Sequence, residues 1–122
     1  MEVLTSELFP EIKIIKTCIH KDNRGLFFEM YSKKTYSEHG IDIDFVQDNF
    51  SFSTRGVLRG LHYQIKSPQG KLVCVLGGEV LDVMVDVRQS SPTFGRYFSI
   101  VLSSQDYTQV YIPKGFAHGF YV

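Results

Sequence analysis

The sequence has no excess of charge of either sign. Its 122 residues include 13 lysines and arginines and 13 aspartates and glutamates, so the formal net charge is zero. A neutral chain has no overall field that would recruit nucleic acid or an anionic membrane, so a bound anion must be met by locally placed cations. We therefore expect no nucleic-acid partner, and we expect a local pocket for any anionic ligand.

Long apolar runs and closely spaced cysteines are also missing. No segment approaches the ~20 apolar residues of a membrane span, and the first twenty residues lack the basic start and apolar stretch of a secretory signal. The two cysteines, Cys18 and Cys74, lie outside any C-x-x-C or zinc-like spacing, which is typical of reduced thiols. These absences predict a cytoplasmic protein without membrane association.

The chain does contain enough apolar residues for one modest core. Its hydrophobic content is 43%, and no linker, repeat or low-complexity run interrupts it, which predicts one domain over residues 1–122. Turn residues recur about every ten positions, a spacing typical of an all-β sandwich or barrel. The predicted strands are clearest in the segments KLVCVL, EVLDVMVDV, RYFSIVLS and QVYIP.

Two local signals refine this outline. One short helix is predicted near residues 32–39, with Ser32 as its N-cap and Gly40 as its end. The pair Gly77–Gly78 suits the positive φ angles of a two-residue hairpin turn, so we expect the strands on either side to be antiparallel neighbours.

Alternation along EVLDVMVDV separates two faces of the predicted strand. The apolar face carries Leu81, Val83 and Val85, and we expect it to be the core face. The other face is mixed, because it carries Asp82 and Asp86.

Arg59, His62 and Lys71 are chemically active side chains in a stretch that otherwise predicts two strands and a turn, GVLRGLHYQIKSPQGKLV. Each has an ordinary explanation, as a hydrogen-bonded strand histidine or a cation with a packed stem. Strict alternation also puts Arg59 and His62 on opposite faces unless Gly60 marks a bulge. His118 follows a rigid Pro/Gly turn, a placement typical of functional histidines. The pattern alone leaves both a polar pocket and a solvated face open.

Four blocks of the sequence resemble the dTDP-4-dehydrorhamnose 3,5-epimerase family and follow its order. They are DNRGLFFEMY (22–31), QDNFSFSTRGVLRGLHYQ (47–64), QGKLVCVLGGEVLDVMVDVRQSSPTFG (69–95) and IPKGFAHGFYV (112–122). The resemblance implies a cupin-type double-stranded β-helix (jelly roll), a homodimer, and a dTDP-linked 4-keto-6-deoxy sugar as substrate. The implied reaction, a step of dTDP-rhamnose biosynthesis, is epimerisation of dTDP-4-dehydro-6-deoxyglucose at C3 and C5 to dTDP-4-dehydrorhamnose, without a cofactor.

The resemblance also implies roles for individual residues. His62 would remove the proton next to the C4 ketone, and Lys71 would stabilise the charge that develops on the C4 oxygen. Alternation along the strand, rather than the resemblance, gives Asp82 the parity to face a barrel interior, where we expect it to orient His62. The implied substrate-binding residues are Arg24, Arg59 and His118 at the diphosphate and Phe27, Glu29, Gln47 and Asn49 in the nucleotide pocket.

The chain departs from related proteins at two points. Metal-dependent cupins supply an H-x-H pair, whereas this chain has His62-Tyr63-Gln64, so we expect no metal site. The family continues for about another third of its length, with a tyrosine proposed as the acid and an aspartate that pairs with the histidine base. No residue here matches either, so the domain is expected to be C-terminally incomplete relative to the family. A non-catalytic nucleotide-sugar-binding cupin and a dTDP-keto-sugar 3,4-ketoisomerase stay open as alternatives.

Overall fold

The computed structural model describes residues 1–122 and consists almost entirely of β-strands. The strands are β1 (Glu2–Thr5), β2 (Lys13–Lys16), β3 (His20–Asp22), β4 (Gly25–Phe27), β5 (Leu58–His62), β6 (Lys71–Cys74), β7 (Glu79–Asp86), β8 (Tyr97–Ser103), β9 (Gln109–Ile112) and β10 (Phe116–Tyr121). A single helix, α1 (Lys33–Glu38), lies between β4 and β5. No helix of this chain has the length and apolar character to cross a membrane.

Two four-stranded antiparallel sheets form a jelly roll, as predicted. The first sheet has the order β1-β2-β9-β6 and the second the order β5-β10-β7-β8, while β3 and β4 form a separate hairpin. The main core lies between the two sheets and consists of Phe9, Ile12, Val75, Met84, Leu102, Val110, Ile112 and Phe116. The inner face of each sheet is therefore the face that carries these residues.

The helix packs on the outer face of the first sheet. Its N-cap is Ser32, whose hydroxyl accepts a hydrogen bond from the Thr35 backbone N–H, and Gly40 follows its end with φ +81°, so both predicted boundaries are confirmed. Tyr36 is buried against this sheet and donates a 2.6 Å hydrogen bond to the side-chain oxygen of Gln109. Burial raises the pKa of Tyr36 to about 12, so the hydroxyl stays a donor.

The predicted hairpin at Gly77–Gly78 is wrong. Strand β6 pairs with β9, and β7 pairs with β10 and β8, so the two strands that flank the glycines belong to different sheets. Paired glycines allow the chain to turn, but they do not determine which strand the next segment joins. Here the turn carries the chain from one sheet to the other.

The predicted core face of β7 is also wrong. Asp82, Met84 and Asp86 are fully buried, whereas Leu81 on the apolar face is 41% exposed. Buried carboxylates are tolerated only where they are paired or hydrogen-bonded. Asp86 accepts hydrogen bonds from Arg88, and Asp82 is bonded to a histidine described below.

Candidate active site

A bulge between β5 and β10 brings Arg59 and His62 onto the same face. His62 lies opposite His118, and Arg59 lies opposite Phe120. The three-residue advance from Arg59 to His62 on β5 is therefore matched by only two residues on β10. Opposed residues of an antiparallel pair share a face. His118 is also opposite the core residue Met84, so Arg59, His62 and His118 all lie on the inner face of the second sheet. The bulge predicted at Gly60, which places Arg59 and His62 on one face, is therefore confirmed.

The bulge requires glycine on both strands. Gly60 has φ +106°, and a Cβ built there would lie 2.6 Å from the Cα of Gly119. A Cβ on Gly119 would in turn lie 2.6 Å from the carbonyl oxygen of Arg59. Real Cβ atoms do not approach backbone this closely, so two opposed glycines allow the strands to meet at the bulge.

Lys71 approaches the same interior from the first sheet. It lies opposite Ile112, which is 1% exposed and packs in the core with Met84. Since opposed residues share a face, Lys71 is on the inner face of its sheet. His62 and Lys71 therefore face the space between the sheets from opposite sides. His62 is exposed and Lys71 half-buried, so this end of the sandwich is open.

His118 is the most enclosed of the candidate residues. Its side chain is 11% exposed, and its Nε2 atom is hydrogen-bonded to the Asp82 carboxylate. The expectation that Asp82 orients His62 is therefore wrong. Strand β10 separates β7 from β5, so the Asp82 carboxylate meets the histidine of the intervening strand first.

Arg59 is held from the segment that precedes β5. Its Nε donates a 2.7 Å hydrogen bond to the Ser53 hydroxyl, and a terminal nitrogen donates to the Phe52 carbonyl at 3.4 Å. Both acceptors are uncharged, and Arg59 forms no salt bridge in the chain. Its positive charge is consequently available to an anion.

The remaining candidate residues belong to other segments of the chain. Arg24 and Phe27 belong to the separate β3–β4 hairpin and are 86% and 71% exposed. Glu29 follows the hairpin and is exposed. The Arg24 guanidinium binds Asp22 at 2.6 Å and holds the pKa of that carboxyl below its usual range.

Gln47 and Asn49 lie in an exposed segment without regular structure. The Gln47 amide donates a 3.0 Å hydrogen bond to the Asn49 side chain. Neither residue is hydrogen-bonded to His62, Lys71, Arg59 or His118, and the same holds for Arg24, Phe27 and Glu29. The nucleotide-pocket assignment of these residues stays a prediction.

A buried ionic network that the sequence patterns did not identify secures the turn before His118. Asp86 accepts hydrogen bonds from the Arg88 guanidinium at 2.9 Å and from the hydroxyls of Ser91 and Thr93 at 2.6 Å. The Arg88 guanidinium also lies 4.8 Å from the ring centre of Phe116, the first residue of β10. The sequence signals were the interruption of an apolar strand by Asp86 and the motif block that contains its partners in the next loop.

No group of three or more His, Cys, Asp or Glu side chains in the chain is arranged to hold a metal ion. The sequence-based expectation that the site needs neither metal nor cofactor stays a prediction. The arrangement offers an imidazole and an ammonium on inner faces of opposite sheets, with a guanidinium and a second imidazole on the same face as the first imidazole.

Comparison with known proteins identifies the family. A family model described as dTDP-4-dehydrorhamnose 3,5-epimerase matches residues 7–122. The chain belongs to this family. The four sequence blocks that carry the resemblance all lie within the matched region, so the family assignment made from the sequence is confirmed.

Curated members of the epimerase family are similar over the whole chain. The dTDP-4-dehydrorhamnose 3,5-epimerase of Shigella flexneri is 49% identical over 124 residues, covering 100% of this chain and 68% of the relative. That of Neisseria gonorrhoeae is 48% identical over 122 residues, covering 100% of this chain and 37% of the relative. The chain thus spans between about a third and two thirds of the length of these two relatives.

Solved structures of the family have the same fold. The crystal structure of dTDP-6-deoxy-D-glucose-3,5-epimerase from Legionella pneumophila, in complex with dTDP-4-keto-L-rhamnose, is 54% identical with a TM-score of 0.96, and the match covers 99% of this chain and 64% of that one. The Bacillus anthracis enzyme with TDP and pyrophosphate bound is 39% identical, with a TM-score of 0.91 and coverages of 98% and 69%. These likenesses support the cupin jelly roll at the level of both sequence and backbone.

Proposed function

We propose that the site formed by His62 and Lys71 acts in the epimerisation of dTDP-4-dehydro-6-deoxyglucose at C3 and C5, which gives dTDP-4-dehydrorhamnose. The observation that carries this proposal is the placement of an imidazole and an ammonium on inner faces of opposite sheets. The Legionella relative, 54% identical, binds dTDP-4-keto-L-rhamnose, which supports the substrate class.

The proposed chemistry begins with proton removal next to the C4 ketone. A ring nitrogen of neutral His62 takes the proton from C3 or C5, and the electron pair of the broken C–H bond moves into the C4 carbonyl to give an enolate. Imidazole suits this step because its pKa lies near neutral pH. The Lys71 ammonium stabilises the charge that develops on the C4 oxygen.

Epimerisation is completed when a proton returns to the opposite face of the same carbon. The overall change conserves all atoms and electrons, so no redox cofactor is consumed. We assign no residue of this chain to the acid role, so the donor of the returning proton stays unassigned.

We assign the diphosphate to Arg59 and His118, with Arg24, and the nucleotide to Phe27, Glu29, Gln47 and Asn49. Guanidinium groups bind phosphate oxygens through charge-assisted hydrogen bonds. The free charge of Arg59 supports its assignment, and the exposed Phe27 ring is available for stacking on a base.

We also propose that the protein is a homodimer that works in the cytoplasm. The outer face of the second sheet carries a row of opposed, exposed apolar side chains across all four strands, and a second copy of the chain would cover it. The row consists of Leu58, Tyr121, Leu81 and Val101, which are 72%, 50%, 41% and 55% exposed. Both cysteines are free thiols, which fits a reducing compartment.

Deuterium exchange tests the catalytic part of the proposal. The substrate is incubated with the chain in deuterated water, and the C3 and C5 protons are followed by NMR. We expect loss of both signals and formation of the epimerised product. Saturable dTDP binding without any exchange would instead support a non-catalytic nucleotide-sugar-binding cupin. A product with the ketone moved to C3 would support a 3,4-ketoisomerase.

A further inference from the structure

Asp82 is a buried carboxylate with a single partner. Its side chain is fully buried, and Oδ1 is bonded to Nε2 of His118, whereas Oδ2 has no hydrogen-bond partner in the chain. No lysine or arginine forms a salt bridge with it. The hydrogen bond to His118 is therefore the one polar contact that compensates the removal of this carboxylate from water.

The contact determines where the histidine carries its hydrogen. A carboxylate accepts hydrogen bonds, so Nε2 of His118 must be the protonated ring nitrogen. The other ring nitrogen, Nδ1, has no hydrogen-bond partner within the chain and is free for a ligand. If the hydrogen were on Nδ1 alone, the lone pair of Nε2 would face a lone pair of Asp82 Oδ1. Both Asp82 oxygens would then lack a hydrogen-bond donor, which is costly for a buried carboxylate.

The strand register explains why this pair bears on the site. His118 sits between Met84 on β7 and His62 on β5, so the ring that Asp82 holds is the direct cross-strand neighbour of His62. Arg59 lies on the same face of β5, opposite Phe120, two residues along β10 from His118. A rotation of the His118 ring would therefore change which ring nitrogen is available to a ligand on this face of the sheet.

We propose that Asp82 is a positioning residue that holds His118 by Nε2 and thereby presents Nδ1 to the diphosphate of the bound nucleotide. The carboxylate also supplies the opposite charge that an imidazolium needs when Nδ1 donates to a phosphate oxygen. This inference rests on the proposed function, because that function assigns the diphosphate to His118. It adds a residue that acts on the ligand through another side chain.

A double-mutant cycle with dTDP tests the proposal. The affinity of the chain for dTDP is measured by calorimetry for wild type, Asp82→Ala, His118→Ala and the double variant. We expect each single change to weaken binding at least about tenfold, as for loss of a hydrogen bond to a charged group. The double variant should bind no more weakly than His118→Ala, since Asp82 acts only through that ring.

Two further variants separate positioning from a general loss of structure. Met84→Leu changes a buried side chain directly opposite His118 but removes no hydrogen bond, and it should keep wild-type affinity. Asp82→Asn keeps an acceptor oxygen of the same shape without the charge, and it should restore part of the affinity lost in Asp82→Ala. The proposal would be overturned if the fold-losses of dTDP affinity in the two single variants multiplied in the double variant. It would also be overturned if Asp82→Ala bound dTDP with wild-type affinity.

Nitrogen-15 NMR of the histidine rings tests the positioning without any ligand. In wild type, Nε2 of His118 should carry a hydrogen, and in Asp82→Ala the hydrogen should exchange between the two ring nitrogens. Detection of the hydrogen on Nδ1 alone in wild type would contradict the inference. If wild type fails to bind dTDP, the proposed function is wrong, and the ring spectra still decide whether Asp82 positions His118.

Discussion

His62 and His118 lie directly opposite each other in the antiparallel pair of β5 and β10. Side chains opposed in this way have Cβ atoms roughly 4.5–5.5 Å apart, so the two imidazoles share one opening of the jelly roll. Their surroundings differ, because His62 is exposed while His118 is buried and bonded to Asp82. The two rings should therefore serve different parts of one reaction, proton transfer for His62 and ligand binding for His118.

Replacement of His62 should remove proton transfer and spare binding. In His62→Asn we expect the rate of substrate deuterium exchange to fall by at least about 100-fold, since a general base typically contributes 10²–10⁴-fold. The dTDP affinity, measured by calorimetry, should stay within about twofold of wild type. His39→Asn, a change at an exposed helix-end histidine, is the matched control. Undiminished exchange in His62→Asn would rule out its role as the base.

Replacement of Arg59, in contrast to that of His62, should weaken dTDP binding. Arg59→Ala removes a guanidinium whose only partners in the chain are the Ser53 hydroxyl and the Phe52 carbonyl, so little stability should be lost. We expect the dTDP affinity to fall by about 10- to 100-fold, as for loss of a charge-assisted contact to phosphate. Arg55→Ala, which removes an exposed arginine before β5, should bind as wild type does. Equal affinities for both variants would take Arg59 out of the diphosphate site.

The bulge that aligns Arg59 with His62 should be sensitive to a single methyl group. Gly60→Ala places a Cβ against the Gly119 backbone in a left-handed conformation, and the backbone conformation alone costs about 1–3 kcal/mol. We expect the free energy of unfolding in urea to fall by at least this amount. Gly77→Ala, where a Cβ meets nothing within 4 Å, should change it little. A Gly60→Ala variant as stable as wild type would contradict the close approach of the strands.

The Asp86 network should make the chain sensitive to acid. Hydrogen bonds from Arg88 first, and from Ser91 and Thr93, hold the pKa of Asp86 well below its usual range. A carboxyl whose pKa is lower in the folded than in the unfolded chain contributes stability that is fully present above its unfolded pKa, about 3.9. That contribution is lost as the pH falls below this value toward the folded pKa.

Urea titrations at about pH 5 and about pH 3 measure this dependence. Asp86→Asn cannot lose a charge on acidification, so its free energy of unfolding should fall less between these pH values than that of wild type. Asp48→Asn, at an exposed carboxylate without a hydrogen-bond partner, should follow wild type. The same pH dependence in Asp86→Asn and wild type would show that the network does not carry the acid sensitivity.

The apolar row on the outer face of the second sheet should determine the oligomeric state. Leu81 lies in the middle of this row, opposite Tyr121 on one side and Val101 on the other. Leu81→Lys puts a charge where a second copy would pack, so we expect a monomer by light scattering after size-exclusion chromatography. Ile65→Lys, in an exposed loop, should leave the dimer intact. A wild-type monomer would contradict the proposed dimer directly.

The family and the positions of strands β5 to β9 were predictable from the sequence by itself. Dense local signals carry this information: the apolar runs of β7 and β8, the Ser32 cap and Gly40 end of the helix, and four motif blocks in family order. Such signals act within a few residues of each other, so they can be identified without knowledge of the rest of the chain. They also singled out Arg59, His62, Lys71 and His118 as the chemically informative residues.

Strand partners, buried faces and contacts between side chains were decided only by the tertiary structure. Gly77–Gly78 predicted a hairpin between β6 and β7. Instead, β6 pairs with β9 and β7 pairs with β10, and both partner strands lie about 30 or more residues away in sequence. Alternation allowed Asp82 to face inward, yet its partner depends on which strand lies next to β7. The choice of His118 over His62 follows from the insertion of β10 between β7 and β5, a long-range arrangement that no local pattern encodes.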